Sequence, residues 1–380
     1  MKEGWTYKKL GEVCRINSGK SIKAELIHSE RLNNEVPCYG GNGLRGYVSS
    51  PNSLGGNPII GRVGAQCGNV HYSEEPFYAT EHALVVTILS KDVNPLWLCY
   101  LFETMNLKQY AEGAAQPVIA GGKLKNLDFI LPPLNEQQQI VSRLDAAFAH
   151  IDELKANAEK QLSEARVLFQ KALTKAMEPK VGWGAKKIKD ISLLITKGSS
   201  PKWQGNSYVN SGGILFVTSE NVREGYLEFN PAKYVDNSFN IKQRRSILKK
   251  NDVLVNIVGA SIGRAAVFDI DVENANINQA VCLIRLDKNK LLPKYLCLFL
   301  NSEHAFNQYA SMIKDTARAN LSLDNIGCLE IGVPSLSEQQ RIVSRLDAIS
   351  AHIRELEDVL QKTIAECDAL KQALLRKVFE

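Results

Sequence analysis

Residues 131–178 and 333–380 are two versions of one 48-residue stretch, set 202 positions apart and identical at 24 places. A period this long marks a duplicated unit, one copy per half, and not a short-repeat solenoid. Each half reads as a globular segment followed by a long helix. The segments are 1–134 and 179–336, and the helices 135–178 and 337–380. The expected fold class is α+β: two mixed α/β segments separated by two long helices. Those helices should pack as an intramolecular antiparallel coiled coil, with a pseudo-twofold axis relating the halves.

The helices carry their own start signals. Asn135 with Gln138, and Ser337 with Gln340, have N-cap and N3 spacing, while Pro132, Pro133 and Pro334 keep the chain extended just upstream. Pro179 stops the first helix, and Lys171, Lys175, Arg376 and Lys377 crowd the last turns, where the helix dipole favours cations. Apolar residues recur at 3-4 spacing, the mark of a coiled-coil seam. The second copy reads Ile342, Leu346, Ile349, Ile353, Leu356, Leu360, Thr363, Cys367, Leu370, Leu374. The first reads Ile140, Leu144, Ala147, Ile151, Leu154, Ala158, Gln161, Ala165, Leu168, Ala172. Gln161 and Thr363 interrupt the two seams at the same phase, as a register-fixing polar pair would. About 42 residues at ~1.5 Å each make a rod of roughly 60 Å. A dimerisation coil between chains is the alternative, but duplication within one chain favours the internal pair.

Composition bounds the class. At 380 residues, 44% hydrophobic and 23% charged, the chain is an ordinary globular protein of two to three domains without a disorder signature. No apolar run approaches the ~20 residues that span a bilayer. The start, MKEGWTYKKL, lacks the apolar core of a signal peptide, so a cytoplasmic location is expected. Eight scattered cysteines with no C-x-x-C pair argue for reduced, buried thiols and against zinc. Each helical stretch (136–178, 338–380) nets −1, residues 1–135 net +1 and residues 179–337 net +6. The basic excess therefore lies in the globular segments, chiefly the second, and a polyanionic partner fits it.

The globular segments echo each other. Trp5-Thr-Tyr-Lys-Lys-Leu10 parallels Trp183-Gly-Ala-Lys-Lys-Ile188, and each leads to a Gly/Ser/Lys turn (Ser18–Ser21; Lys197–Ser200). Ile60-Gly-Arg-Val-Gly-Ala65 parallels Val255-Asn-Ile-Val-Gly-Ala260, and both halves reach a leucine-rich patch, Trp97–Phe102 and Tyr295–Leu300. Between these landmarks the segments diverge, as two modules reading different targets would. β-rich runs at Ala83–Leu89, Ile214–Thr218, Val253–Ile257 and Ala280–Ile284 complete the α+β reading.

Catalytic motifs fail on inspection. Gly19-Lys20-Ser21 lacks the upstream glycine of a phosphate loop and reads as a turn. Asn94-Pro95-Leu96-Trp97 lacks the second proline of an amino-methyltransferase motif and caps a helix instead. Asp152-Glu153-Leu154-Lys155 resembles part of a nuclease motif but belongs to the helical repeat, with a charged face and Leu154 on the seam. His150 and His352 take equivalent helix positions and read as solvated or partner-contacting. No nucleophile–base set can be assembled, so the chain alone is not an enzyme.

The sequence Pro132-Pro-Leu-Asn-Glu-Gln-Gln-Gln-Ile-Val141, repeated as Pro334-Ser-Leu-Ser-Glu-Gln-Gln-Arg-Ile-Val343, heads each long helix. In this order the chain resembles the specificity subunit of Type I restriction–modification systems over essentially its whole length. Lys197–Trp203 and Gly213–Val222 are similar to family features as well. The resemblance implies two target recognition domains, each reading half of a bipartite double-stranded DNA site, held apart by the helices. It also implies docking of two modification (methyltransferase) subunits, with restriction/translocase subunits joining that core. Glu136, Gln137, Gln138 and Glu338, Gln339, Gln340 are the candidates for partner binding. No cofactor is expected on this chain; S-adenosylmethionine and ATP/Mg belong to the partners. A rigid spacer makes the second DNA contact intramolecular and so joins two weak readers into one tight binder. Candidate DNA-contacting residues are Lys20, Arg45, Arg62, Gln66 and His71 in the first segment. In the second they are Lys202, Gln204, Arg244, Arg245, Arg264 and Arg318, all of types that contact phosphates or base edges. Two alternatives stand beside this reading: a specificity subunit of another DNA-methylating defence system, and a non-DNA coiled-coil adaptor with two binding modules.

Overall fold

The computed structural model describes residues 4–113, 116–313 and 319–379. They form two compact units, Met1–Glu159 with Gln361–Glu380, and Lys160–Leu360, so each unit takes part of both long helices.

In the first unit β1 (Thr6–Lys9), a single turn α1 (Leu10–Val13) and β2 (Cys14–Ser18) are followed by β3 (Val36–Gly40), β4 (Gly43–Val48), β5 (Asn57–Gly61), β6 (Val70–Ser73), β7 (Tyr78–Ala79) and β8 (Ala83–Ile88). Helix α2 (Pro95–Thr104), a short α3 (Gly121–Leu124) and β9 (Asp128–Leu131) lead into α4 (Leu134–Met177). One antiparallel sheet has the order β2-β8-β5-β6; a second, β4-β3-β7, pairs β3 with β7 in parallel; β1 and β9 form a separate ribbon. Helix α2 starts where Asn94 accepts bonds from the Leu96 and Trp97 amides at 3.0 Å, with Pro95 at a position that needs no amide hydrogen. Trp97 and Phe102 anchor the core with Leu10, Ile60, Leu84 and Val86, and Val141 of α4 and Phe379 join the same cluster.

The second unit repeats the plan: β10 (Gly184–Lys187), α5 (Ile188–Ile191), β11 (Ser192–Lys197), β12 (Tyr208–Val209), β13 (Ile214–Val217), β14 (Tyr234–Val235), α6 (Ser238–Lys242), β15 (Asp252–Asn256), β16 (Ala265–Phe268), β17 (Ala275–Ile277), β18 (Val281–Leu286), α7 (Pro293–Leu300), α8 (Glu303–Met312), α9 (Leu323–Cys328), β19 (Glu330–Val333) and α10 (Leu336–Phe379). Its sheets run β11-β18-β15-β16 and β12-β14-β13-β17, with β13–β17 parallel and a β10–β19 ribbon. The α+β class and the duplication expected from the repeat are therefore both present. The core gathers Tyr295, Phe299, Tyr309 and Ile284 with Leu173 and Met177 of α4 and Ile342, Val343 and Leu346 of α10.

Helix pairing is antiparallel within each unit. In the first, Lys155 bonds Asp368 at 2.8 Å and Asp152 bonds Lys371, so one helix ascends as the other descends. In the second, the end of α4 clusters with the start of α10, and Arg166 meets Glu357 at 2.8 Å. The seam keeps most of the positions that spacing predicts, but one of its rows is displaced. Leu144, Ile151, Ala158 and Ala165 are buried, as are Ile342, Leu346, Leu360 and Cys367, while Ile140, Ile349 and Ile353 are half-buried. Leu154, Leu168, Leu356 and Leu370 are exposed at 57%, 63%, 41% and 49%, and Gln161 is exposed too. The half-buried positions lie one residue later, at Lys155, Leu162, Phe169, Glu357 and Lys371. Long side chains lay their aliphatic stems across the seam and pair their charges over the partner helix, so the groove takes Lys155 and Lys371 where leucines were expected.

The start of each helix also departs from expectation. α4 begins at Leu134, with the Glu136 and Gln137 amides bonded to the Pro133 carbonyl. α10 begins at Leu336, capped by Ser335, whose carbonyl accepts from Gln339. Asn135 and Ser337 thus lie inside the first turn and are not the caps.

Candidate nucleic-acid interface

In each unit three connections converge at one polar corner. In the first, β2 runs out at Gly19, whose amide bonds the Ala83 carbonyl at 3.0 Å, and Lys20 bonds the Ala79 carbonyl at 2.9 Å. A Cβ on Gly19 would stand 2.2 Å from that Ala79 oxygen, so only glycine lets the strand pass. The β7–β8 turn, Thr80-Glu81-His82, is held by Thr80 N to Tyr39 O (2.9 Å) and Ala83 N to Thr80 O (3.0 Å). The loop after β5 docks beside it: Arg62 bonds His82 O through its amide at 2.8 Å and Glu81 O through Nη1 at 3.1 Å. The Gly40–Gly43 turn closes the corner, with Gly43 at φ +91° where a Cβ would stand 2.8 Å from the His71 ring.

Electrostatics fit an anionic ligand. Lys20 and Arg45 are exposed and Arg62 is half-buried, and among the described residues none of the three has a carboxylate within ion-pair distance. Three buried polar atoms here have no partner among the described residues: Thr80 Oγ1, Glu81 Oε2 and His71 Nε2. Burial holds the His71 imidazole below its usual pKa, so it stays neutral at physiological pH. Gln66 is exposed, with its Oε1 accepting from Asn69 at 2.8 Å. All five residues expected from sequence in this segment therefore surround one corner.

The second unit builds the same corner from different side chains. Gly198 follows β11, and a Cβ on it would stand 1.8 Å from Ile277 O. The β17–β18 turn, Asn278-Gln279, is held by Asn278 N to Val217 O (3.0 Å) and Val281 N to Asn278 O (3.3 Å), and Ile257 N bonds Ala280 O at 2.9 Å. Beside it the Lys202–Gln204 turn is pinned by Gln204 Nε2 to Ser199 Oγ at 3.0 Å and by Lys242 on the Gln204 carbonyl. Asn276 ties in the next segment through Asn240 (2.7 Å) and the Gln243 carbonyl (3.1 Å), and exposed Arg244 and Arg245 follow. Lys202, Gln204, Arg244 and Arg245 are thus brought together. Arg264 is not: it faces Glu224 at 3.8 Å in a hollow shared with Arg166, Arg354 and Glu357 of the helices, and its guanidinium is engaged there. Arg318 lies outside the described residues.

Residue-type reasoning missed Thr80, Glu81, His82, Asn278, Gln279, Lys242 and Trp203. The signal available was positional: each polar pair immediately precedes a predicted buried strand and so sits in a turn at its edge.

The heads of the long helices correct a second expectation. Gln137 and Gln339 are fully buried. Gln137 Oε1 accepts from Asn94 N, and its Nε2 donates to Asp92 O and Pro132 O, all at 2.8 Å. Gln339 does the same with Leu292 N (2.9 Å), Lys290 O (3.2 Å) and Pro334 O (3.0 Å). Each amide is a clamp inside its own unit, with no atom left to touch a partner. Glu136 accepts from Trp5 Nε1 at 2.9 Å, and Glu338 is paired with Arg341 at 2.7 Å. Gln138 and Gln340 are exposed. Among the described residues no group of three or more His, Cys, Asp or Glu could hold a metal ion, and no helix is long and apolar enough to cross a membrane.

A family model, "Type I restriction modification DNA specificity domain", matches residues 2–164 and again 180–366. The type I restriction enzyme EcoprrI specificity subunit of Escherichia coli is 42% identical over 139 residues, 36% of this chain and 34% of that protein. The EcoBI specificity subunit of Escherichia coli is 28% identical over 274 residues, 66% of this chain and 57% of that one. The matches thus span only about a third and somewhat over half of those two relatives' lengths. A putative type I restriction enzyme specificity subunit of Haemophilus influenzae is 27% identical over 355 residues, 90% of this chain and 86% of its own length. Among solved structures, a chain from work on complex assembly and conformational transition of the type I R-M system superimposes with a TM-score of 0.77 at 18% identity, covering 100% of this chain and 98% of that one. The HsdS subunit from Thermoanaerobacter tengcongensis gives 0.53 at 18% identity, covering 100% and 97%. At such identities these two likenesses speak for the fold.

Proposed function

The chain belongs to the Type I restriction modification DNA specificity family, and from that premise we propose that it is the DNA sequence-specificity subunit of a Type I restriction–modification complex. Each unit reads one half of a bipartite double-stranded target, and the long helices that both units share set the gap between the halves. The observation that carries this reading is the repeated corner: one backbone frame, built twice, with Lys20, Arg45, Arg62 and Glu81 in one copy and Lys202, Arg244, Arg245 and Gln279 in the other. A frame that is kept while its polar side chains change is what two readers of different half-sites need, because base edges are distinguished by side-chain donors and acceptors and phosphates by cations.

The chemistry is assigned to partners. Two methyltransferase subunits would bring S-adenosylmethionine for adenine N6 methylation, and restriction subunits would bring ATP- and Mg-dependent cleavage, all in the cytoplasm. The test is methylation mapping by single-molecule sequencing of a host genome, with and without this gene beside its adjacent methyltransferase gene. Gene-dependent N6-methyladenine at one bipartite motif with a fixed gap is the expected result. Its absence, with an expressed and folded methyltransferase, would overturn the proposal.

A further inference from the structure

Trp203 is out of place for a tryptophan. The chain has four: Trp97 is 1% exposed in a core, Trp5 is hydrogen-bonded to Glu136, and Trp183 packs edge-on against Tyr295. Trp203 is 73% exposed. Leaving an indole in water forfeits the apolar burial that large aromatic side chains ordinarily supply.

Its exposure is not that of a loose loop. Trp203 occupies the middle of the Lys202–Gln204 turn, which follows Pro201. Trp203 N bonds Ser200 O at 3.1 Å, Gln204 N bonds Pro201 O at 3.0 Å, and Asn206 N bonds Pro201 O at 2.9 Å. Gln204 is held on both sides, by Ser199 and by Lys242. The turn under the indole is therefore tied by five hydrogen bonds, four of them to its backbone.

Its surroundings are cationic. Lys202 precedes it, Lys242 touches the same turn, and Arg244 and Arg245 follow on the segment that Asn276 anchors. Among the described residues, none of Lys202, Lys242, Arg244 or Arg245 has a carboxylate within ion-pair distance, whereas Arg223, Lys233, Lys250 and Arg285 of the same unit do. The first unit presents an apolar residue at the corresponding turn as well, Leu26, 54% exposed after Lys23.

We propose that Trp203 is a wedge residue: it stacks into a base step of the half-site that the second unit reads, while Lys202, Arg244 and Arg245 hold the flanking phosphates. An apolar side chain on a rigid turn amid unpaired cations has the chemistry for this. Cations neutralise the backbone, and the aromatic face replaces the stacking that the opened step gives up. The cost of unstacking depends on the step, so Trp203 would add preference for a flexible pyrimidine–purine step without any hydrogen bond to a base. A methyltransferase partner that must extrude its adenine would gain from a duplex already distorted nearby.

This inference rests on the proposed function, and the experiment separates the two. The full complex with its methyltransferase subunits is assembled with wild-type chain, Trp203→Ala and Trp203→Phe. The probe is a duplex of about 40 base pairs carrying the mapped motif, with dyes at its ends and 2-aminopurine at successive steps of the second half-site. The expected result is that wild type bends the duplex and brightens 2-aminopurine at one step. Trp203→Ala should lose both signals and bind at least about tenfold more weakly, and Trp203→Phe should restore most of the effect. Unchanged bending and fluorescence in Trp203→Ala would overturn the wedge. So would a defect in subunit assembly with DNA behaviour intact, since that would make Trp203 a protein contact. Failure of the wild-type complex to prefer the motif duplex over a scrambled one would instead count against the functional reading.

Discussion

Replacing Gln339 by alanine tests whether the glutamine at the head of each long helix is a clamp within its unit or a surface for partners. The Gln339 amide makes three hydrogen bonds to backbone groups of two separate segments, Lys290–Leu292 and Pro334, in a site without solvent access. Removing it strands the Leu292 N–H and the Lys290 and Pro334 carbonyls, the last of them fully buried. Each orphaned group costs ~1–3 kcal/mol, and a water entering the vacated space would satisfy part of the set, so the expected loss is about 3–5 kcal/mol. The neighbour Gln340 is exposed and its side-chain amide donates to Ser344 Oγ at 3.3 Å, its one side-chain bond among the described residues, so Gln340→Ala should change stability by less than about 0.5 kcal/mol. The assay is urea unfolding of the full chain followed by tryptophan fluorescence, with the free energy taken by linear extrapolation. A loss below about 1 kcal/mol for Gln339→Ala, or equal losses for the two variants, would refute the clamp. Weaker methyltransferase binding by Gln340→Ala at unchanged stability would place docking on the outward face of the same turn.

Three further outcomes follow from the geometry. Leu346→Ala should cost ~2–5 kcal/mol in urea unfolding, because Leu346 is 2% exposed. Leu168→Ala and Leu356→Ala should each cost less than about 0.5 kcal/mol; losses as large as that of Leu346→Ala would put them back on the seam, where spacing alone places all three. Gly198→Ala drives a Cβ to 1.8 Å from the Ile277 carbonyl and should destabilise the second unit by about 2 kcal/mol or more, whereas Gly184→Ala, which meets nothing within 4 Å, should be near neutral in the same experiment. His71 has a folded-state pKa lowered by burial. Its contribution is therefore fully present above the unfolded imidazole value of ~6.5 and is lost as pH falls through the folded value. Unfolding free energy measured from pH 8 down to pH 5 should decline less steeply in His71→Asn than in wild type; parallel curves would refute the assignment.

The sequence revealed duplication and helix extent well because both are written in residue identity over long stretches. It was a poorer guide to what each helix residue does. Spacing of apolar residues places Leu154 and Leu370 on the seam, but spacing cannot weigh a leucine against a lysine whose stem covers the groove while its ammonium reaches Asp368 or Asp152. Likewise Glu136-Gln137-Gln138 reads as one polar surface. One turn of helix nonetheless points Gln137 inward and Gln138 outward, and only the position of Asp92 and Asn94 some forty residues earlier decides which is which. Arg62 and Arg264 look alike in sequence, each near a glycine after a strand. Arg62 faces the corner because Glu81 O receives it, and Arg264 turns away because Glu224 does.

What lets the corners diverge is that the frame they have in common is made of backbone bonds. Arg62 N to His82 O, Ala83 N to Thr80 O, Thr80 N to Tyr39 O and Ile119 N to Arg62 O in the first unit have counterparts in Ile257 N to Ala280 O, Val281 N to Asn278 O, Asn278 N to Val217 O and Leu321 N to Ile257 O in the second. Backbone bonds are indifferent to residue type apart from proline, and the close approaches ask only for glycine, at Gly19 and Gly198. The shared frame therefore sets few limits on the side chains that line it. Arg62 can become Ile257, and Glu81-His82 can become Gln279, while the loops stay where they were. If the corners read DNA as proposed, specificity can vary in one unit without disturbing the other, because what varies is the lining of each corner, and what holds the lining in place is common to both.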